Sequence, residues 1–270
     1  MSSSCPPKRA EGQRELHVIE SYRLTENIRR VILGGEELVD LDMDASLIGP
    51  HLKLFIPPAN AACLLWPEYD ALKGRLVWPE QGERPTVRTY SLRDYDAQLH
   101  QLTIDLVCHD GGVASEWAKQ AKAGDKIGIW GPGARLSYRD QWLVLAGDIS
   151  ALPAIGYTLE QVLPANAKGK AIIEVPSKAD LLPLRGPAGM EIIWLVRHPD
   201  QESKLIDAVA SVQIPDGFSP LIWGGMECDL AKGLRRAIKD KMKLQRDEYY
   251  LVNYWRKGVP EGGFNHSVDE

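Results

Sequence analysis

Arg88-Thr89-Tyr90-Ser91 is the stretch whose residue types could do the most chemistry. An arginine takes a pair of phosphate oxygens in its planar fork. An aromatic ring lies flat against a planar heterocycle, and a small hydroxyl hydrogen-bonds a ring nitrogen. Those three functions suit a flavin. Further along, Cys108-His109-Asp110-Gly111-Gly112-Val113-Ala114-Ser115-Glu116-Trp117 runs from a strand pattern through two glycines into a helix pattern. A helix start presents free N–H groups and a partial positive charge, which together seat a phosphate. Glycine lets a ligand approach the backbone, and Ser115 adds a hydroxyl. Taken singly, the first stretch reads equally as an amphipathic strand and the second as a turn before a capped helix.

The elements that must position these residues have two textures. From Leu16 to about Ile129 short β runs dominate, such as Ile28 to Leu33 and Leu52 to Ile56, ended by Gly34-Gly35 and Pro57-Pro58. Leu102, Ile104 and Leu106 alternate with Gln101, Thr103 and Asp105, a half-buried strand. Asn60 to Gly82 has prolines and no clean period, and is expected to be a long surface excursion. Gly124 to Gly133 closes the region with a turn, a strand and a Gly/Pro break. This pattern predicts a small antiparallel barrel.

After Tyr138 continuous apolar runs replace alternation: Trp142 to Ala146, Ala171 to Val175, Ile192 to Val196 and Leu221 to Trp223, then Tyr249 to Tyr254. Such runs are strands buried on both faces. Helix periods lie between them, on Ile155, Leu159, Val162 and Leu163, on Leu205, Ile206, Val209 and Val212, and on Leu230, Leu234, Ile238 and Met242. The alternation predicts a parallel sheet with crossover helices. Its ligands bind beyond the carboxyl ends of the strands. The residues there are Gly147 to Ala151, Arg197, Gly224 to Glu227, and Asn253 to Gly258. No G-x-G-x-x-G or Walker loop occurs, so a dinucleotide site would not be of the common Rossmann kind.

Composition narrows the class. The chain has 270 residues, 44% apolar and 26% charged, an ordinary globular balance with room for two domains. Net charge is −5, which argues against nucleic acid as a partner. Cys5, Cys63, Cys108 and Cys228 lack C-x-x-C spacing, consistent with reduced thiols in the cytoplasm rather than disulfides or a metal site. Met1 to Glu15 lacks the apolar centre of a signal peptide, and no run is long enough to span a membrane.

A barrel followed by such a sheet is the plan of ferredoxin–NADP⁺-reductase-like flavoenzymes. More narrowly, the chain resembles the siderophore-interacting protein family of ferric-siderophore reductases, of the vibriobactin-utilisation type. Arg88-Thr89-Tyr90-Ser91-Leu92-Arg93 matches the family's Arg-x-Tyr-Ser/Thr-x-Arg. His109 to Trp117 matches its glycine-rich helix start, one residue shorter. Gly147 to Ile155 matches the Gly-Asp-x-x-Ala-Leu-Pro-Ala-Ile block, with Ser150 where threonine is frequent. Gly224-Gly225-Met226-Glu227 replaces an Ala-Gly-Glu-like turn, and Tyr254-Trp255-Arg256-Lys257-Gly258 carries the Tyr-Trp-Arg-x-Gly signature.

The resemblance implies a flexible tail over 1–13, an FAD-binding β-barrel domain over 14–138, an NAD(P)H-binding α/β domain over 139–258 and a C-terminal tail over 259–270. It implies non-covalent FAD contacted by Arg88, Thr89, Tyr90, Ser91, Val107, His109, Gly111, Gly112, Ala114 and Ser115. Asp148, Ser150 and Ala151 would lie near the flavin and the incoming nicotinamide. Its donor would be NAD(P)H, NADPH slightly favoured, with Arg197 or Lys178 as the contact for a 2′-phosphate and ferredoxin as an alternative donor. A ferric siderophore would sit in a basic pocket beside the flavin, held by Lys53 and Arg256 with Lys257 assisting. On the residues alone Lys53 reads as a solvated edge charge, and Arg256 beside Trp255 as a structural stack. A general flavin reductase of the same fold, or a protein that binds siderophore without turnover, are the alternative functions.

Overall fold

A computed structural model of the protein describes residues 10–59, 61, 63–70, 72, 74–198, 200–259 and 263, with Tyr69 by its backbone alone. Cys5 and most of both expected tails lie outside the described residues. The elements are β1 (Gln13–Arg23), β2 (Ile28–Gly34), β3 (Leu47–Ile48), β4 (His51–Ile56), β5 (Glu68–Asp70), β6 (Arg75–Val77), β7 (Thr86–Ser91), β8 (Asp94–Asp96), β9 (Gln101–Val107), α1 (Val113–Gln120), β10 (Lys126–Gly133) and β11 (Leu136–Ser137). There follow β12 (Trp142–Asp148), α2 (Leu152–Tyr157), β13 (Lys168–Val175), β14 (Gly189–Val196), α3 (Leu205–Ala210), β15 (Pro220–Glu227), α4 (Cys228–Ala237) and β16 (Tyr249–Trp255). No described helix is long and apolar enough to cross a membrane.

Two compact units result, Met1–Met43 with Pro50–Gly133, and Asp44–Gly49 with Ala134–Glu270. The first is an antiparallel half-barrel of seven strands in the order β7-β4-β10-β1-β2-β9-β8. Alternation along its strands buries one face: Leu16 and Val18, Val31 and Leu33, Leu52 and Leu54, Leu102, Ile104 and Leu106, and Ile127 and Ile129 are nearly or fully buried. Asp105 lies between these residues, on the opposite face of β9. Its carboxylate, buried on β9, takes both Nε and Nη2 of Arg30 on β2 at 2.7 Å, with Arg93 Nε at 3.9 Å. That hydrogen bonding lifts the Arg30 guanidinium above its ordinary range, so it stays charged.

Two expectations change here. The excursion carries a hairpin, β5 with β6, and is anchored by aromatic rings. Buried Phe55 lies 4.9 Å from the ring of Trp66 and 6.2 Å from that of Trp78, and the Arg84 guanidinium covers Trp78 at 4.1 Å. The Gly/Pro break does not end its strand. β10 runs through Gly131-Pro132-Gly133, with the irregularity absorbed in its register against β4.

The second unit is a fully parallel sheet in the order β14-β13-β12-β15-β16. Apolar side chains of β12 and β15 meet Leu205 and Val209 of α3 and Ala231 and Leu234 of α4. The short ladder of β11 with β3 and the Tyr138 N–H on Ser46 O at 2.8 Å join 134–138 to 44–49, and both segments belong to this unit. β15 also continues through the expected Gly224-Gly225 turn as far as Glu227. Glycine is needed there for packing. A Cβ on Gly225 would stand 2.7 Å from the Tyr254 ring, and one on Gly147 of β12 would stand 2.6 Å from Gly225 O.

Candidate active site

β7 is an edge strand of the half-barrel, paired with β4 so that Arg88 faces Leu54, Thr89 faces Lys53, Tyr90 faces Leu52 and Ser91 faces His51. Period two puts Arg88 and Tyr90 on one face of the strand and Thr89 and Ser91 on the other. Arg88, Thr89 and Tyr90 are half-buried and Ser91 is buried. Arg88 Nη1 donates to Val87 O at 2.8 Å, folding the guanidinium along its own strand. Lys53 Nζ donates to Thr89 Oγ1. Lys53 is therefore half-buried and tied across the β4–β7 ladder, where the residues alone had suggested a solvated edge charge.

Val107 ends β9 in the same unit, and the chain turns through exposed His109 and Asp110 into α1. Gly111 has φ +74°, which glycine adopts without strain, and nothing lies within 4 Å of where its Cβ would be. Gly112 is the N-cap and supplies no side chain to the helix start. A Cβ there would meet the His109 ring at 2.2 Å. Buried Ser115 accepts the His109 N–H at 3.1 Å and so pins the loop, and Ala114 beside it is buried. Open space at Gly111 and an uncapped helix start fit a bound pyrophosphate.

In the second unit, Asp148, Glu227 and Trp255 are the last residues of β12, β15 and β16, three neighbouring strands. Strand order reverses beside β12, so these ends flank the switch point where such sheets bind ligands. Asp148 Oδ1 accepts Ser150 N at 2.9 Å and the Ser150 hydroxyl. Oδ2 accepts Glu227 N and Trp255 Nε1, both at 2.9 Å. Burial pushes the Asp148 carboxyl above its usual range, while these donors pull the other way. Ala151 is fully buried. Glu227 Oε2 caps α4 through Asp229 N at 2.6 Å, and its Oε1 accepts Lys257 N at 3.3 Å. Arg256 and Lys257 are exposed.

At the other side of the sheet, Glu174, Trp194, Arg197, Gln201 and Lys204 line a pocket of about 150 Å³ at the ends of β13 and β14. Arg197 Nε lies 3.3 Å from Oε2 of the buried Glu174 carboxylate, an ion-pair contact without hydrogen-bond geometry. Lys178 is exposed in a single turn capped by Ser177.

The structure thus gathers Arg88 to Ser91 with Lys53 on one ladder, Val107 to Ser115 at one helix start, and Asp148, Ser150 and Ala151 with Arg256 and Lys257 around the switch-point strand ends. Sequence reading missed the capping role of Glu227 and the indole tie of Trp255. Glutamate is a weak N-cap signal because its acceptor stands one methylene further out than that of aspartate. Nothing local announces a tryptophan bonded to a carboxylate so distant in the chain.

A family profile described as a siderophore-interacting FAD-binding domain matches residues 17–136. A second, described as siderophore-interacting protein, matches 140–258. Ferric vibriobactin reductase ViuB of Vibrio cholerae is 33% identical over 93% of this chain and 92% of its own. The NADPH-dependent ferric-chelate reductase of Escherichia coli is 35% identical over 84% of this chain and 86% of its own. Among solved structures, the siderophore-interacting protein SipS of Aeromonas hydrophila superposes with a TM-score of 0.76 at 31% identity, covering 93% of this chain and 94% of that one. A siderophore utilization protein of T. fusca gives 0.79 at 31% identity, covering 94% and 95%. Both domains, in this order and over nearly the whole chain, place it in the siderophore-interacting protein family.

Proposed function

We propose that this protein is an FAD-containing, NADPH-preferring reductase of ferric siderophores that works in the cytoplasm and releases iron as Fe(II). The observation that carries the reading is the near full-length match, on both domains, to proteins named as ferric vibriobactin and ferric-chelate reductases. Nicotinamide donors deliver two electrons and Fe(III) accepts one, and FAD supplies the two-to-one exchange. The chain's own residues do the rest. Arg88 and the α1 start neutralise the pyrophosphate, Tyr90 offers a ring face and Ser91 a hydroxyl. β7 is the sheet edge, so a planar ligand along it is within reach of side chains from both faces. Lys53, Arg256 and Lys257 supply positive charge for an anionic chelate, and Arg197, oriented by Glu174, meets the 2′-phosphate.

Anaerobic mixing tests it. NADPH should bleach the flavin faster than NADH, and a ferric catecholate chelate should restore the colour faster than a quinone or ferricyanide does. A colourless protein that binds no FAD would leave only siderophore binding. Faster reoxidation by the quinone would make the protein a general flavin reductase.

A further inference from the structure

We infer that Asp148 is a positioning residue for the substrate segment: its buried carboxylate fixes the Trp255 indole and, through it, the exposed pair Arg256–Lys257. The inference rests on reading Arg256 as a chelate-binding residue. Backbone ladders already hold the three strands, with Gly147 opposite Gly225 and Glu227 opposite Trp255. The ladders leave the exit of β16 undetermined. There the register slips between Met226 and Glu227, Trp255 is 38% exposed, and the chain turns back at Gly258, φ +74°, so that Arg256 bridges Val259.

Two carboxylates hold this exit. Asp148 Oδ2 takes the indole N–H at 2.9 Å, and Glu227 Oε1 takes the Lys257 N–H at 3.3 Å. Asp148 is 5% exposed, and no lysine, arginine or histidine bonds it among the described residues. A polar group so buried needs hydrogen-bond partners, and four donors from Ser150, Glu227 and Trp255 occupy its two oxygens. An arginine and a lysine in water hold an anion weakly, and a fixed backbone beneath them reduces the ordering that binding requires. Asparagine at 148 would keep the size but turn an amide N–H₂ toward either Ser150 or the pair Glu227 and Trp255.

The test uses the FAD-loaded, full-length protein with Fe(III)–EDTA, an anionic chelate. Trp255→Phe should raise KM about fivefold while kcat moves less than about twofold. In hydrogen exchange, amides 255–258 should open faster while 142–147 stay protected. Adding Trp255→Phe to Arg256→Ala/Lys257→Ala should raise KM no further, since it removes only what positions those two residues. Asp148→Asn should repeat both effects. If it does not fold, Trp255→Phe carries the test. An unchanged KM in Trp255→Phe beside a raised KM in Arg256→Ala would overturn the inference and leave the substrate segment standing. An unchanged KM in Arg256→Ala would remove the reading it rests on, and the inference with it. Faster exchange across all of β12 would reduce Asp148 to a stabiliser of the sheet, which also overturns it.

Discussion

Tyr90 and Ser91 are neighbours that point to opposite faces of an edge strand, so their losses should separate. Tyr90→Ala removes a ring face, on the order of 1 kcal/mol beyond the lost area, and should release FAD during gel filtration. Ser91→Ala should keep its flavin and slow flavin reduction in stopped-flow. Equal flavin content and rate in both variants would move the flavin away from β7. On the proposed function, Lys53 and Arg256 would supply charge rather than shape, each contributing about 1 kcal/mol to binding of an anionic chelate, or roughly fivefold in affinity. Lys53→Ala and Arg256→Ala should each raise KM for an anionic ferric chelate by that order. Added salt should weaken the wild type more than the double variant. A double variant that fails in reduction by NADPH but reoxidises normally with the chelate would assign both residues to the nucleotide.

Among the elements, tight packing of the parallel sheet is the testable feature. Gly147 and Gly225 sit on adjacent strands with no space for a methyl group: Ala151 Cβ and Gly225 O close on the first, the Tyr254 ring on the second. Gly147→Ala and Gly225→Ala should each cost about 1–3 kcal/mol, as overpacking does, seen as a lower denaturation midpoint with an unchanged slope. Neutral behaviour would mean that β12 and β15 part easily. These glycines also mark where sequence reading fell short. Gly224-Gly225 reads as a turn, because glycine's turn preference is local while its packing role is set by Tyr254, far along the chain. The strand–helix alternation itself was legible, since runs such as Trp142 to Ala146 and periods such as Leu230 and Leu234 are local patterns. The helix start at Gly112 was legible for the same reason. The Asp148–Trp255 tie and the Glu174–Arg197 pair were not, because side-chain pairing between strand ends leaves no period. Packing was the simplest reading of Trp66 and Trp78, but their common partner Phe55 was not legible, because the segment between Asn60 and Gly82 has no period.

For the molecule as a whole, two compact units with separate cores imply that each ligand should stabilise the unit that holds it. A ligand present at a hundred times its dissociation constant adds about 2.7 kcal/mol to the folded state that binds it. For a unit of this size that raises the midpoint on the order of 10 °C. Stripping FAD should therefore lower one thermal transition, and re-adding FAD should restore it. NADP⁺ should raise a transition that FAD moves little if, as proposed, the nucleotide residues lie on the parallel sheet. Tyr90→Ala supplies the assignment: it should shrink the FAD-dependent shift and leave the NADP⁺-dependent one intact. Calorimetry of the stripped, reloaded and variant proteins measures all three. An FAD shift that survives Tyr90→Ala in full, or that falls on the transition NADP⁺ raises, would place the flavin outside the half-barrel.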